Sequence, residues 1–211
     1  MYIPKFNEET RVEVLHGLIG SQPLATLVTM GASGLIATHL PMVLSPGENA
    51  PDILRGHVSR ANPQWRELDA SVEALAIFAG TEHYITPSWY PEKFEDGKVV
   101  PTWNYAVVHV YGSVRLVEDP GWLLTHLKSL TAQHESAFAR PWAVTDAPED
   151  YIASQLRGIV GIEIPVRRME GKWKVSQNKS EQTRESIEKG LEDLGTPASV
   201  AMRDLVRGKR P

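Results

Sequence analysis

The residues best suited to chemistry in this 211-residue chain lie in three short segments. They read HVSRANPQW at 57–65, YITPSWY at 84–90 and PTWNYAVVHVYG at 101–112. Each has the pattern of a strand or strand end, yet carries aromatic, amide, hydroxyl or basic side chains where simple alternation is usual. Aromatic walls suit the faces of a planar ring, amides and hydroxyls suit its edge, and a guanidinium suits a phosphate. The three segments therefore predict a site for a planar, phosphorylated cofactor.

Arg60 is the first candidate for contact with such a phosphate. It follows a predicted strand, and Ser59 and Asn62 beside it can donate further hydrogen bonds. The planar fork of N–H groups on arginine matches the oxygens of a phosphate. A solvated arginine at the end of a surface strand has the same sequence pattern, and that alternative stays open.

Three histidines, His39, His57 and His109, lie in predicted strands and raise the question of a metal. Their spacing matches no compact metal motif, and no cluster of carboxylates accompanies them. We therefore expect no metal site and interpret the three as partly buried histidines. The chain has no cysteine, which excludes disulfides, thiolate metal sites and thiol catalysis.

The elements that must position these residues can be outlined from apolar spacing and turn signals. Apolar residues at helical spacing predict a first helix over 12–19, and several short strands follow. The segment 81–101 contains three prolines between two good strands, which is typical of a long, ordered, functional loop. Asp119 followed by Pro120 predicts the beginning of another helix. Many short antiparallel strands favour a barrel.

The composition becomes charged and helical near residue 180. We therefore expect a barrel domain with inserted helices over 1–179 and a helical tail over 180–211. No internal repeat or low-complexity linker is visible.

Properties of the whole chain exclude several classes of protein. The net charge of −4 argues against a basic surface for nucleic acid over the whole molecule. No hydrolase, P-loop or Rossmann motif is present. No signal peptide or apolar run of membrane length is visible, so we expect a cytoplasmic protein without a membrane span. DNA contact has one candidate, a basic C-terminal cluster made of Arg203, Arg207, Lys209 and Arg210. Such clusters are common at chain ends, so we favour a solvated tail over a DNA contact.

The same segments carry a resemblance to a known family. HVSRANPQW, SWY-x2-K, VPTWNYAVVHVYG and KWKVSQNK resemble, in order, the motifs of the PaiB family, the FMN-binding negative regulators of transcription. The opening MYIPKF is similar as well. The resemblance implies a mainly β fold with peripheral helices, a split β-barrel of the pyridoxamine-phosphate-oxidase-like type. It also implies a homodimer with FMN bound near the subunit interface.

With FMN as the cofactor, the residues above become its candidate contacts. As neutral imidazoles, His39 and His57 are predicted to donate to the phosphate or the ring edge. Trp89 and Trp103 flank the proline-rich loop, where they either wall the ring or pack in a core or interface. The predicted set of cofactor-binding residues is His39, His57, Ser59, Arg60, Asn62, Ser88, Trp89, Thr102, Trp103, Asn104 and Gln177.

Three of these residues have an equally plausible structural role. The side chains of Thr102 and Asn104 are suited to hydrogen bonds with a ring edge, or to a capping or turn role beside Pro101. Gln177 lies in a polar run that either contacts the cofactor or simply connects a strand to a helix. No residue is singled out as catalytic. The resemblance implies negative regulation of transcription; the alternatives are a flavin-dependent oxidoreductase, a haem-acting enzyme on the same barrel, or a module that binds flavin without turnover.

Overall fold

The computed structural model describes residues 1–47 and 50–208. Most of the sheet structure is antiparallel, and the predicted class, mainly β with peripheral helices, is confirmed. The strands are Glu8–Glu9 (β1), Leu24–Gly31 (β2), Gly34–Pro41 (β3), Val43–Ser45 (β4), Ile53–Ser59 (β5), Ala74–Ile85 (β6), Thr102–Gly112 (β7), Arg115–Val117 (β8), Ile159–Pro165 (β9) and Arg168–Lys174 (β10).

Three of the helices begin at side-chain caps. The helix predicted at Asp119–Pro120 is present, and the Asp119 carboxylate accepts a hydrogen bond of 2.7 Å from the Trp122 amide. Ser180 and Thr196 cap the last two helices in the same way. The helices are Val12–Ser21 (α1), Gln64–Glu67 (α2), Pro120–Glu135 (α3), Glu149–Arg157 (α4), Glu181–Leu194 (α5) and Pro197–Val206 (α6). Short 3-10 turns occupy Lys5–Asn7, Pro87–Trp89, Pro91–Phe94 and Val144–Asp146.

The chain forms two compact units. The first comprises Met1–Gln22, Phe78–His109 and the residues from Glu170 onward. Its strands lie in the order β1-β10-β7-β6, and alternate side chains of β7 are buried. The core of this unit is formed by Leu18, Ile19, Phe78, Val108, Trp173, Ile187, Leu191 and Met202, all at most 2 % exposed.

The second unit comprises Pro23–Ile77 and Val110–Met169. The β2–β3 hairpin pairs with the beginning of β6, and a second sheet has the order β4-β5-β9-β8. In that sheet β5 pairs antiparallel with β9 along its whole length, so that His57 lies opposite Gly161. Helices α3 and α4 belong to this unit.

Helices α5 and α6 belong to the first unit, together with the loop that precedes β7. Helix α5 contacts the 3-10 turns at Pro87–Trp89 and Pro91–Phe94. The division into a barrel over 1–179 and a tail over 180–211 stays a prediction. None of the helices within residues 1–47 and 50–208 combines the length and apolarity needed to cross a membrane.

Candidate functional site

Four of the predicted cofactor contacts lie together around one cavity of the second unit. This cavity, called the β5 cavity here, has a volume of about 510 Å³, a size typical of small-molecule sites. Its polar lining is made of hydroxyl, amide and imidazole groups, and no described lining residue is an Asp or Glu. The polar side chains are those of Thr38, His39, His57, Ser59, Asn62 and Gln155.

Hydrogen bonds within the HVSRANP segment hold these donors in place. The Asn62 amide group donates to the Thr38 hydroxyl at 3.0 Å, and its side-chain oxygen accepts from the Gln64 backbone at 2.9 Å. The backbone N–H of Asn62 also donates to the carbonyl of Ser59 at 2.9 Å. A turn fixed at both ends therefore presents the Ser59 and Asn62 side chains at the end of β5, as short polar residues do in turns.

Arg60 lies beside this turn and is engaged within the protein. Its Nε donates to the carbonyl of Arg157 at 3.0 Å, and its Nη2 donates to the carbonyl of Ile159 at 3.3 Å. Its Nη1 forms an ion pair of 2.6 Å with Glu118, whose side chain is 57 % exposed. An ion pair this open to water is weak and exchangeable. The Arg60 guanidinium thus links α4 and β9 to the end of β5. Its Nη1 can bind an incoming anion when that anion displaces Glu118.

His57 is held by a second histidine that the sequence did not single out. His57 Nδ1 and His126 Nε2 are 3.2 Å apart, and His126 is only 2 % exposed. His126 Nδ1 is buried without a partner among the described residues. Because an unpaired buried N–H costs more than an unpaired lone pair, we assign the proton of His126 to Nε2, which donates to His57. The remaining nitrogen of His57, Nε2, then carries the proton, so that His57 lines the cavity as a neutral hydrogen-bond donor.

The electrostatics of this pair favour two neutral rings. The pKa of His126 is lowered to about 4, chiefly by burial and to a smaller extent by the nearby His57 and Arg55. Burial also lowers the pKa of His57. At neutral pH the pair therefore acts through hydrogen bonding and not through charge.

The glycine at position 161 of β9 leaves the space that allows His126 to reach β5. Helix α3 carries Trp122 one turn before His126, and the two rings stack at 5.4 Å. A Cβ at Gly161 of β9 would lie 3.0 Å from Cε3 of Trp122, so the indole occupies the space that glycine leaves. The i, i+4 spacing of Trp122 and His126 was the only local signal for this arrangement.

Two more predicted contacts line a cavity of the first unit, called the lysine cavity here. It has a volume of about 350 Å³, and its basic residues are Lys172, Lys174 and Lys179. Thr102 is bonded to the Lys174 ammonium group, which also donates to the Trp103 carbonyl at 2.8 Å. Asn104 is 1 % exposed and exchanges hydrogen bonds with the Ser176 hydroxyl.

The remaining predicted contacts have other partners in the first unit. Gln177 bonds to the backbone of Val175 and Trp173, within its own loop. Trp103 is 53 % exposed and meets Tyr84 edge-on at 6.0 Å. Ser88 accepts a hydrogen bond from Lys93, and Trp89 packs on Gly190 of α5.

The C-terminal cations are largely neutralised. Arg203 pairs with Glu192 at 3.2 Å, and Arg207 pairs with Glu188 at 2.6 Å. Lys209 and Arg210 lie outside the described residues. Neither described arginine offers a free charge to a nucleic acid.

Comparison with known proteins agrees with the resemblance read from the motifs. Residues 1–168 match the family described as "Putative FMN-binding domain". The protease synthase and sporulation protein PAI 2 of Bacillus subtilis is 32 % identical, over 99 % of this chain and 98 % of its own. An uncharacterised protein of Emericella nidulans is 34 % identical, over 98 % of this chain and 96 % of its own.

A solved structure shows the same fold at much lower identity. The flavocytochrome Anf3 from Azotobacter vinelandii matches with a TM-score of 0.57 and 11 % identity, over 82 % of this chain and 72 % of that one. The predicted fold, a flavin-binding split barrel of the pyridoxamine-phosphate-oxidase-like type, is thereby confirmed. The chain belongs to the PaiB family of FMN-binding proteins, as its motifs predicted, and FMN is the cofactor of this family.

Proposed function

We propose that the chain binds FMN with the phosphate in the β5 cavity, next to Arg60, and acts as a flavin-dependent regulator of its family's kind. The observation that carries the phosphate assignment is the donor set of that cavity. Hydroxyl, amide and neutral imidazole groups line it, His57 is oriented by His126, and no acid of the described lining opposes an anion. Such a set fits a phosphomonoester.

FMN, when bound, supplies a ring that accepts and releases electrons or hydride. The residues of this chain bind and orient it. Ser59 and Asn62 present donors from a fixed turn, His57 donates from Nε2, and Arg60 contributes charge. His39 is on the exposed side of β3 at the same cavity. The other predicted contacts stay predictions: Ser88, Trp89, Thr102, Trp103, Asn104 and Gln177.

We expect Arg60→Ala to weaken FMN binding and to leave riboflavin binding unchanged, since riboflavin lacks the phosphate. Loss of one charge-assisted contact costs about 1.5–3 kcal/mol, or roughly tenfold to a hundredfold in affinity. Flavin fluorescence titrations of both ligands measure the effect. The matched control is Arg66→Ala, a nearby arginine that lies over the Trp65 ring at 4.4 Å. Neither arginine is in the cavity lining, but Arg60 is bonded to the carbonyl of Ile159, which lines it. Equal FMN affinity in wild type and Arg60→Ala, or a parallel loss for riboflavin, contradicts the phosphate assignment.

We also propose that the protein is a homodimer. The first unit exposes several large apolar side chains that do not line the lysine cavity, among them Phe94 at 81 % and Trp103 at 53 %, with Tyr84 at 42 %. Exposed apolar side chains that lie together, as Tyr84 and Trp103 do at a ring distance of 6.0 Å, are typical of an interface. Light scattering at micromolar concentration should give twice the chain mass of 23.4 kDa. A monomer that holds FMN tightly would contradict the dimer.

Regulation of transcription is proposed from the family alone. Arg203 and Arg207 are paired with acidic side chains, so a DNA contact through them requires phosphates to replace those partners. We expect the FMN-loaded protein to retain one promoter fragment in a salt-dependent manner. The slope of the logarithm of affinity against the logarithm of salt concentration should reflect the number of phosphate contacts. If the loaded protein retains no DNA near physiological salt, direct repression is wrong and the flavin-dependent oxidoreductase becomes the preferred function.

A further inference from the structure

We propose that the lysine cavity binds a small organic anion with a planar apolar body, such as an aromatic carboxylate, at the same time as the protein holds FMN. This ligand differs from the flavin that the sequence predicted for Thr102 and Asn104. The proposal stands on the first unit alone and does not depend on where the FMN phosphate binds.

The first argument is an excess of positive charge among the residues that line the cavity. Lys172, Lys174 and Lys179 are half-buried, and no Asp or Glu is among the described residues that line the cavity with them. No ion pair joins any of the three to a carboxylate within residues 1–47 and 50–208. Three cations around a cavity of about 350 Å³ create a positive potential that attracts an anion.

The ammonium groups are held in place by neutral partners. Lys172 donates to the carbonyl of Tyr2 at 3.1 Å, and Lys179 lies 4.7 Å from the ring centroid of Tyr90. Lys174 donates to Thr102 and to the Trp103 carbonyl. These contacts are neutral; the Glu92 carboxylate, which is outside the cavity lining, interacts electrostatically with Lys179 and offsets part of its charge. Burial lowers the pKa of Lys174, and the neighbouring Lys172 lowers it further, a cost that a bound anion relieves.

The second argument is a strained polar turn at the same cavity. Ser176 has φ 61°, which makes it the one residue other than glycine with positive φ in the described part of the chain. Such a conformation is strained and persists where the surroundings enforce it, often at a functional site. Here the Ser176 hydroxyl and the buried Asn104 amide are bonded to each other and both line the cavity. They provide neutral donors next to the charges.

The walls define the body of the ligand. Tyr2, Phe6 and Val100 are exposed side chains at the cavity, and Tyr90 lines it while being 1 % exposed itself. Aromatic and aliphatic walls of this kind bind the faces of a planar ring. A volume of about 350 Å³ admits one substituted aromatic ring and is at the lower end of the range for ligand sites.

The test uses benzoate as the probe and full-length protein saturated with FMN. We expect calorimetry or ligand-observed NMR to detect benzoate binding, and benzyl alcohol, the neutral analogue, to bind at least tenfold more weakly. Lys174→Met and Lys179→Met should each weaken benzoate roughly tenfold or more, as expected for loss of a charged contact. Lys179→Met is included because its ammonium group has no hydrogen bond that supports the fold, unlike that of Lys174.

The matched control is Lys98→Met in the same unit, where the lysine is 83 % exposed and pairs with Asp96 at the surface. It should leave benzoate affinity unchanged. Phenyl phosphate in place of benzoate distinguishes a phosphate ligand from a carboxylate, and binding of either anion with the same dependence on the lysines supports the proposal. The proposal is overturned if neither anion binds, if the lysine variants bind as wild type does, or if FMN saturation abolishes binding. The last result would assign the cavity to the flavin.

Discussion

Acidification from pH 7 to pH 4.5 should destabilise the wild-type protein by about 2–3 kcal/mol more than it destabilises a His126→Gln variant. His126 is fully buried beside His57, and burial lowers its pKa to about 4 from an ordinary value of 6.5. Between those two values the unfolded chain binds a proton at this position and the folded chain does not. Proton uptake therefore favours unfolding, and the free energy of unfolding falls as the pH falls. A shift of this size corresponds to about 3 kcal/mol at its full extent.

The charged groups around His126 do not offset this effect. His57 faces it from β5 and is itself neutral, since burial lowers its pKa as well. Arg55, also on β5, adds a positive charge, although its guanidinium is paired with Glu163 of β9 at 3.2 Å. Glutamine at position 126 retains a side chain that can bond to His57 but does not titrate. It therefore removes the proton uptake and leaves most of the packing in place.

Urea unfolding of both proteins at several pH values measures the difference. The matched control is His134→Gln, since His134 is on the same helix but exposed to solvent. It should follow the wild-type dependence on pH. Parallel curves for wild type and His126→Gln would mean that His126 is not buried as a neutral ring, and the tautomer assigned to His57 would lose its basis.

The sequence located the β5 cavity because its donors lie close together along the chain. His57, Ser59 and Asn62 occupy alternate or neighbouring positions at one strand end, so a single β-strand and turn bring them together. His39 joins them because β3 belongs to the same unit. The fold class followed from the spacing of short strands and from the motifs of the family.

Other parts of the site depend on contacts that no local pattern encodes. His126 is 69 positions from His57 in the sequence, and it reaches β5 only because Gly161 leaves room for Trp122. Ser176 adopts a left-handed conformation that is usual for glycine, so its residue type gave no signal. Trp89, predicted either to wall a cofactor or to pack in a core or interface, contacts a glycine 101 positions later in the chain. Long-range packing of this kind appears only in the folded structure.

We expect Gly190→Ala to destabilise the protein by about 1–3 kcal/mol, the usual cost of overpacking. Elsewhere in a helix this substitution is favourable, since alanine has the higher helix propensity by up to about 1 kcal/mol. At Gly190, however, a Cβ would lie 2.5 Å from Nε1 of Trp89, and further indole atoms are as close. The indole is a rigid plane held in a 3-10 turn between Pro87 and Tyr90, so it cannot yield as a flexible side chain does. Steric conflict therefore exceeds the gain in helix propensity.

Gly20→Ala is the matched control, because Gly20 is also in a helix of the first unit and a Cβ there would meet no atom within 4 Å. It should stabilise the protein by about 0.5–1 kcal/mol. Urea unfolding followed by tryptophan fluorescence measures both variants, and stabilisation by both would contradict the packing of α5 on Trp89. Opposite signs would show that α5 is integral to the segment at 87–94 that carries two predicted flavin contacts. In that case a boundary at residue 179 separates elements that are stable only together. Removal of 180–211 should then expose Trp89 and lower the free energy of unfolding of the first unit by more than Gly190→Ala does.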